Sequence, residues 1–327
     1  MLRATPTSST ARPRLLVSEL WGLGDVVLAL PFLQDASAHA DVTLLAKPHA
    51  GPLLHRFAPA VAHLPLVAPW TSFSGKYRLH RWPWRALRDT VARLRSAPGF
   101  DLGVSARADP RDHALLALAG VRRKIGFPRA GSRLLLDTPL LPPARPHRAE
   151  HWRALATALG GSLPSSLSPA PCSGETGRAR PRHLVLHPGA GHAVRRWPAE
   201  RYADLAGRLR QAGWDVYVVD DPLPDDAAVK LDALLGVLEG AAAFIGNDSG
   251  PGHLAALLGV PTFTIFGPQL PELFAPRHSR AAWIEGAPCP HKPCFDACRF
   301  TEPHCIRALT VDEVWARVKA WCATLAP

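Results

Sequence analysis

No stretch of the 327 residues reaches the roughly 18 consecutive apolar positions that a membrane-spanning helix needs, and Met1 to Arg14 lacks the apolar core of a secretory signal. The expected location is therefore the cytosol, at most peripheral on the cytoplasmic face of an inner membrane. The same tail has no acidic residue and is rich in Ser, Thr and Arg, a composition that a transit peptide would share in a eukaryotic source. Residues 1–13 read as a short disordered extension. Zinc-finger spacing, an RNP-like motif and an alternating aromatic and basic strand are all missing, so nucleic acid is not an expected partner. No internal repeat occurs at a solenoid period.

What is present fits two α/β units. A chain of this length exceeds what one core usually covers, and 47% apolar residues are enough to bury two. Between Gly160 and Arg182 the sequence is rich in Gly, Ser and Pro and poor in periodic apolar positions. The expected division is residues 1–165, a linker at 166–182 and residues 183–327. On each side short β-branched or Leu-rich runs alternate with helical patterns. Asp41–Ala46, Asp101–Ser105, Trp214–Val219 and Thr262–Phe266 are the clearest strands, and the alternation argues for parallel sheets. A terminal helix near 310–325 belongs to the second unit and has the option of packing back on the first.

Three strand-to-helix turns carry the chemistry. In the stretch from Ala243 to Pro268, an apolar run ends in Gly246-Asn247-Asp248, Ser249 sits where an N-cap belongs, and Pro251 falls just inside the next helix. The first amides of a helix lack intrahelical partners and carry the positive end of its dipole, so an anion placed there is stabilised by about 0.3–2 kcal/mol. Gly250 keeps side chains out of the way, Asp248 sits in the turn, and His253 can add a donor. A well-capped turn with a structural histidine is the competing reading. The second turn, His187 to Pro198, contains Gly189, Gly191, Arg195 and Arg196, and guanidinium groups offer paired donors that match phosphate oxygens. The first turn, Trp21-Gly22-Leu23-Gly24-Asp25, follows the buried strand beginning at Leu15. It resembles a dinucleotide fingerprint only in part, because Val27 stands where the third small residue belongs.

These segments, together with Phe266-Gly267-Pro268 and the cysteine-bearing stretch from Cys289 to Cys305, resemble glycosyltransferase family 9, the bacterial heptosyltransferases, over nearly the whole chain. The resemblance implies a GT-B fold, with two Rossmann-like, doubly wound parallel sheets facing a central cleft. It also implies an inverting transferase that needs no metal for catalysis and moves heptose from ADP-heptose to the inner core of lipopolysaccharide. On this basis Asp25 is the expected base, and Arg195, at a position commonly Lys in the family, holds the donor phosphates. Trp21 stands where the family usually has a small or flexible residue. A helix start beside Asp25 should favour its ionised form. Other readings stay open at this point: a GT-B enzyme with another nucleotide sugar, including a protein O-heptosyltransferase, or a non-catalytic sugar-nucleotide-binding protein. Asp220-Asp221 and Asp225-Asp226 read as ribose contacts or as solvated loop.

Charge is uneven. Residues 1–170 hold 22 Lys and Arg against 10 Asp and Glu, whereas the remainder holds 16 against 17. The basic half is thus the expected acceptor half. Its densest part runs from Lys76 to Arg95 and includes Arg78, Arg81, Arg85 and Arg88 with two tryptophans. Such a segment suits an anionic membrane surface or a phosphorylated glycolipid acceptor, and equally a plain solvated face. Cys289, Cys294, Cys298 and Cys305 fall within 17 residues beside His291 and His304, without a CxxC pair. Many family members carry a comparable cluster. A closed structural zinc or iron site and a set of reduced thiols around a Pro-rich loop are the two readings, and a closed site leaves no position for catalysis. Cys172 and Cys322 look incidental.

Overall fold

The computed structural model describes residues 12–72, 78–96, 98–160, 182–219, 228–295 and 298–325. The first half contains β1 (Arg14–Glu19), α1 (Leu23–His39), β2 (Asp41–Ala46), α2 (Ala50–Phe57), β3 (Ala62–Pro65), α3 (Trp84–Ser96), β4 (Leu102–Ser105), α4 (Pro110–Leu118), β5 (Arg123–Gly126), β6 (Thr138–Pro139) and α5 (Arg148–Ala158). The second half contains β7 (His183–His187), α6 (Ala199–Gln211), β8 (Asp215–Val218), α7 (Ala228–Glu239), β9 (Ala243–Asn247), α8 (Gly250–Leu257), β10 (Thr262–Phe266), α9 (Pro271–Phe274), β11 (Ala282–Glu285), α10 (His304–Arg307) and α11 (Val311–Ala323).

The strands form two parallel sheets, ordered β3-β2-β1-β4-β5-β6 and β11-β10-β9-β7-β8 among the described residues. In the first, β1 lies between β2 and β4, with Leu16 opposite Thr43 on one side and Gly103 on the other. A strand in that place is covered on both faces, which is why Leu15, Leu16 and Val17 are all buried. The chain leaves β1 towards β3 at one edge and returns to β4 on the other flank, so a crevice opens beyond the carboxyl end of β1. The second sheet repeats the device, with β7 between β8 and β9. Ligands of open α/β sheets bind at such switch points.

The two sheets are not independent beads. One buried apolar cluster runs from Val26, Leu30 and Leu53 on α1 and α2 to Leu234, Leu238 and Leu254 on α7 and α8. A Cβ on Gly250 would stand 2.8 Å from the Leu23 Cβ, so the two helix starts touch. Polar contacts add to this seam: His147 Nε2 lies 2.9 Å from the Ala275 carbonyl oxygen, Arg277 donates to Glu150 at 2.8 Å, and Arg56 pairs with Glu239. Val314, Val318 and Trp321 of α11 are buried with Leu205, Phe263 and Ile284 of the second half. The register of α11 is fixed by a capping box between Thr310 and Glu313.

Candidate functional site

The turn after β1 delivers Asp25 to the third position of α1. Gly22 is the N-cap, and its amide donates to Asp25 Oδ2 at 3.1 Å. The other carboxylate oxygen pairs with Arg107, which lies just beyond β4, the neighbour of β1. Arg107 also lies over the Trp21 ring, 4.8 Å from its centroid. Burial alone would raise the pKa of Asp25. The Arg107 and Arg148 charges, the Gly22 amide and His253 outweigh it, and the carboxyl is held below its ordinary range. Asp25 is therefore an ionised carboxylate at neutral pH, as the helix-start argument expects.

Beneath it sits a layer of ionisable groups, largely buried, that sequence reasoning did not nominate. Glu19, the last residue of β1, is 1% exposed. Burial and the Asp25 charge push its pKa up to about 8. Asp112, pushed to about 7 by burial and by Asp109, accepts the Trp70 indole N–H at 2.8 Å. Arg148 is half-buried and donates to the Ala106 carbonyl at 3.1 Å. The available signal was topological: in a doubly wound sheet, polar residues just past β1 and β4 must share one crevice.

Across the seam, Asn247 ties the two remaining turns together. Its side-chain oxygen accepts the Trp197 amide at 3.1 Å while its Nδ2 donates to Pro188 O at 2.6 Å, and Trp197, itself buried, donates through Nε1 to Leu309 O. The two arginines expected to share an anion are divided. Arg196 directs Nε and Nη2 onto the Ala190 carbonyl of its own turn, whereas Arg195 reaches across to Asp248, Nη1 to Oδ2 at 3.4 Å. Asp248 is thus a buried acid that orients Arg195. Ser249 occupies the N-cap position, but its hydroxyl donates back to Asn247 O at 3.2 Å and makes no capping bond to the helix amides. A capping hydroxyl therefore does not compete for the first turn of α8. His253 is buried and held neutral, its pKa lowered to about 4 by burial and by the neighbouring His147 and Arg195 charges. Its Nδ1 has no partner among the described residues.

The two sides meet at a glycine. A Cβ on Gly24 would fall 2.6 Å from His253 Cδ2, so α1 and α8 bring their positive ends and Asp25 into one place only because position 24 has no side chain. Gly189 and Gly267 are required for packing, since a Cβ would meet the His187 ring at 2.9 Å or Ile306 at 2.7 Å. Gly191 is exposed.

The basic segment lies on the surface. Arg78, Arg81, Arg85 and Arg88 are exposed, beside the exposed Leu79 and Trp84. Trp82 lies between Trp70 and Trp84 with its ring tilted against both, at centroid distances of 5.5 and 5.2 Å, linking this face to the Asp112 layer. Lys76, Cys172, most of the linker and the pairs Asp220-Asp221 and Asp225-Asp226 lie outside the described residues. Cys305 is buried and Cys294 Sγ donates to His291 O at 3.2 Å. No three His, Cys, Asp or Glu side chains among the described residues converge on a point that could hold a metal. Cys289, Cys294, Cys298 and Cys305 in this conformation are free thiols that do not fit the closed four-thiolate zinc or iron site. No helix among the described residues is long and apolar enough to cross a membrane.

The family model described as glycosyltransferase family 9 (heptosyltransferase) matches residues 111–230 and 227–304, more than half of the chain. Lipopolysaccharide heptosyltransferase 1 of Pseudomonas aeruginosa is 29% identical to the chain over 324 residues, with 86% of each covered. Among solved structures, the Escherichia coli heptosyltransferase WaaC with ADP aligns with a TM-score of 0.69 at 19% identity, covering 96% of this chain and 100% of that one. The iron-containing dodecameric glycosyltransferase TibC from enterotoxigenic E. coli aligns with a TM-score of 0.59 at 16% identity, covering 97% and 77%. The likeness to these structures is one of fold, and it establishes the GT-B arrangement of two α/β sheets.

Proposed function

The chain belongs to glycosyltransferase family 9, and on that premise we propose that it transfers a heptose from ADP-heptose to a hydroxyl of the lipopolysaccharide inner core, by one inverting displacement without a metal. The observation that carries this reading is the apposition of the α1 and α8 starts. The start of α1, with the ionised Asp25, lies against the start of α8, Gly24 against His253 and Leu23 against Gly250. Asp25 takes the proton of the acceptor hydroxyl as the oxygen attacks the anomeric carbon, help that is typically worth about 10²–10⁴-fold. The nucleoside diphosphate leaves with the bond electrons. Arg195, the Ser249 and Gly250 amides and the neutral His253 meet the charge that develops, work done elsewhere by a divalent cation. Asp248 orients Arg195, and Arg196 shapes the turn that carries it.

The first half supplies the acceptor side. The exposed Arg78, Arg81, Arg85 and Arg88 with Trp84 and Leu79 form a cationic face with an apolar edge. Such a face suits a phosphorylated glycolipid at an anionic membrane surface, where each cation contributes about 1 kcal/mol.

Titration calorimetry in EDTA with ADP-heptose, run beside UDP-glucose, UDP-GlcNAc and GDP-mannose, tests the donor. Binding of the ADP sugar alone is the expected result. Preference for a UDP or GDP sugar would retain the phosphate turns and reject the heptosyl donor.

Gly24 supplies a second test of the apposition. Ala at 24 must push the His253 ring away, and misplacement of this kind typically costs on the order of 10- to 100-fold in rate. Gly24→Ala is expected to lower kcat about tenfold or more while the unfolding temperature stays within a few degrees. An unchanged kcat would show that the α1–α8 contact does not matter to turnover.

A further inference from the structure

Glu19 is buried directly behind the proposed base, and the mechanism above gives it no task. One of its carboxyl oxygens accepts the Trp21 amide at 3.3 Å, and the other has no hydrogen-bond partner among the described residues. Trp21 in turn carries the Arg107 guanidinium on its ring face, and Arg107 holds Asp25. Arg107 Nε and Trp21 Nε1 are also buried without partners among the described residues. A continuous line of contacts therefore runs from Glu19 through Trp21 and Arg107 to Asp25, with unused hydrogen-bonding capacity along its length. The charged groups facing Glu19 are Asp25 on α1, Arg107 beyond β4, Arg148 on α5 and Asp112 on α4. Those facing Asp25 are Arg107, Arg148 and His253 on α8. Asp112 is faced in turn by Asp109 and Arg111, so three arginines serve four carboxyl groups.

That ratio has a chemical consequence. A carboxylate paired with an arginine is well oriented but has a low proton affinity, which makes it a weak base. A second carboxylate beside the same arginines competes for their charge and repels the first, and both effects raise the proton affinity of the first. We propose that Glu19 is a positioning residue for Asp25, acting through Trp21 and Arg107, and that loss of its proton withdraws part of the Arg107 charge from Asp25 and makes Asp25 the stronger base. The inference rests on the base role proposed for Asp25. With Glu19 raised to about 8 by burial first and by Asp25 second, the group is mostly protonated at neutral pH and ionises on the alkaline side. The stronger base therefore appears as pH rises through about 8.

The test uses the full chain labelled with [γ-¹³C]aspartate. The Asp25 signal is assigned by its loss in Asp25→Asn and followed from pH 6 to 10 in the wild type and in Glu19→Gln, whose amide oxygen still accepts the Trp21 N–H. A wild-type inflection near pH 8 that Glu19→Gln lacks is the expected result. In parallel, wild-type kcat should rise about threefold or more between pH 7 and 9 while that of Glu19→Gln stays flat. Glu19→Asp keeps a titrating group and should retain a displaced inflection, which guards against a folding defect in the amide variant. No inflection in the wild type would overturn the proposal, as would an inflection accompanied by superimposable kcat profiles. An inflection in a wild-type protein that turns over no sugar nucleotide would instead overturn the enzyme reading and leave the coupling between the two carboxyls standing.

Discussion

Asp25→Asn is expected to lower kcat by about 10²–10⁴-fold and to leave nucleotide affinity within about threefold of the wild type. The substitution is nearly isosteric. The amide oxygen can still accept the Gly22 N–H, so the start of α1 should persist. What disappears is the capacity to accept a proton, together with the charge that holds Arg107. The α8 amides and Arg195 lie on the other side of the seam, so the diphosphate should bind as before. A pH signature accompanies the loss. Because the folded pKa of Asp25 is depressed below 3.8, its pairing stabilises the fold fully above that value and is lost as pH falls through the depressed one. Asp25→Asn should therefore be less stable than the wild type at neutral pH, with the gap closing in strong acid. Turnover and nucleotide titration on the same preparation check the kinetic claim. Retained turnover would remove Asp25 from the base role, whatever the stability result.

Much of the frame behind that expectation was legible from residue order. β2 and β10 have the bounds that their apolar runs and turn residues mark, because each is a largely buried run closed by Gly or Pro. The turn between β9 and α8 was legible for the same reason: Gly246-Asn247-Asp248 follows a fully buried strand, and within a helix Pro251 fits only the first turn. Side-chain partners were much less so. Ser249 is where a cap belongs, yet its hydroxyl satisfies the Asn247 carbonyl, a choice between two nearby acceptors that composition does not decide. Arg107 stands 82 residues from Asp25 and its neighbourhood, Ala106-Arg107-Ala108, is featureless. Only the adjacency of β1 and β4 makes it a partner, and that adjacency is a property of the whole sheet. Glu19 did carry a local signal, a carboxyl at the end of an apolar strand just before a glycine turn. The cysteines mark the opposite limit, since spacing counts residues and ligation needs converging thiolates.

Arg195→Ala is expected to weaken binding of the donor diphosphate by about 10- to 100-fold, the 1.5–3 kcal/mol of a hydrogen bond to a charged group. A comparable or larger fall in kcat should accompany it. The reasoning starts from the division of the arginine pair. Arg196 is turned onto the Ala190 carbonyl, so Arg195 is the cation of this turn that extends towards the start of α8, held there by Asp248. A phosphate already bears charge in the bound donor, which is why affinity falls. More charge develops on it as the glycosidic bond breaks, so an interaction that strengthens in the transition state is lost from kcat as well. Arg195→Lys sharpens the test. Lysine restores the charge but not the planar pair of donors, so affinity should recover further than kcat if the fork matches two phosphate oxygens at the transition state. Equal recovery of both would mean that only net charge matters at this position. An Arg195→Ala protein that binds ADP like the wild type would move the diphosphate elsewhere, and the helix start of α8 would then have to hold it through backbone amides and His253 alone.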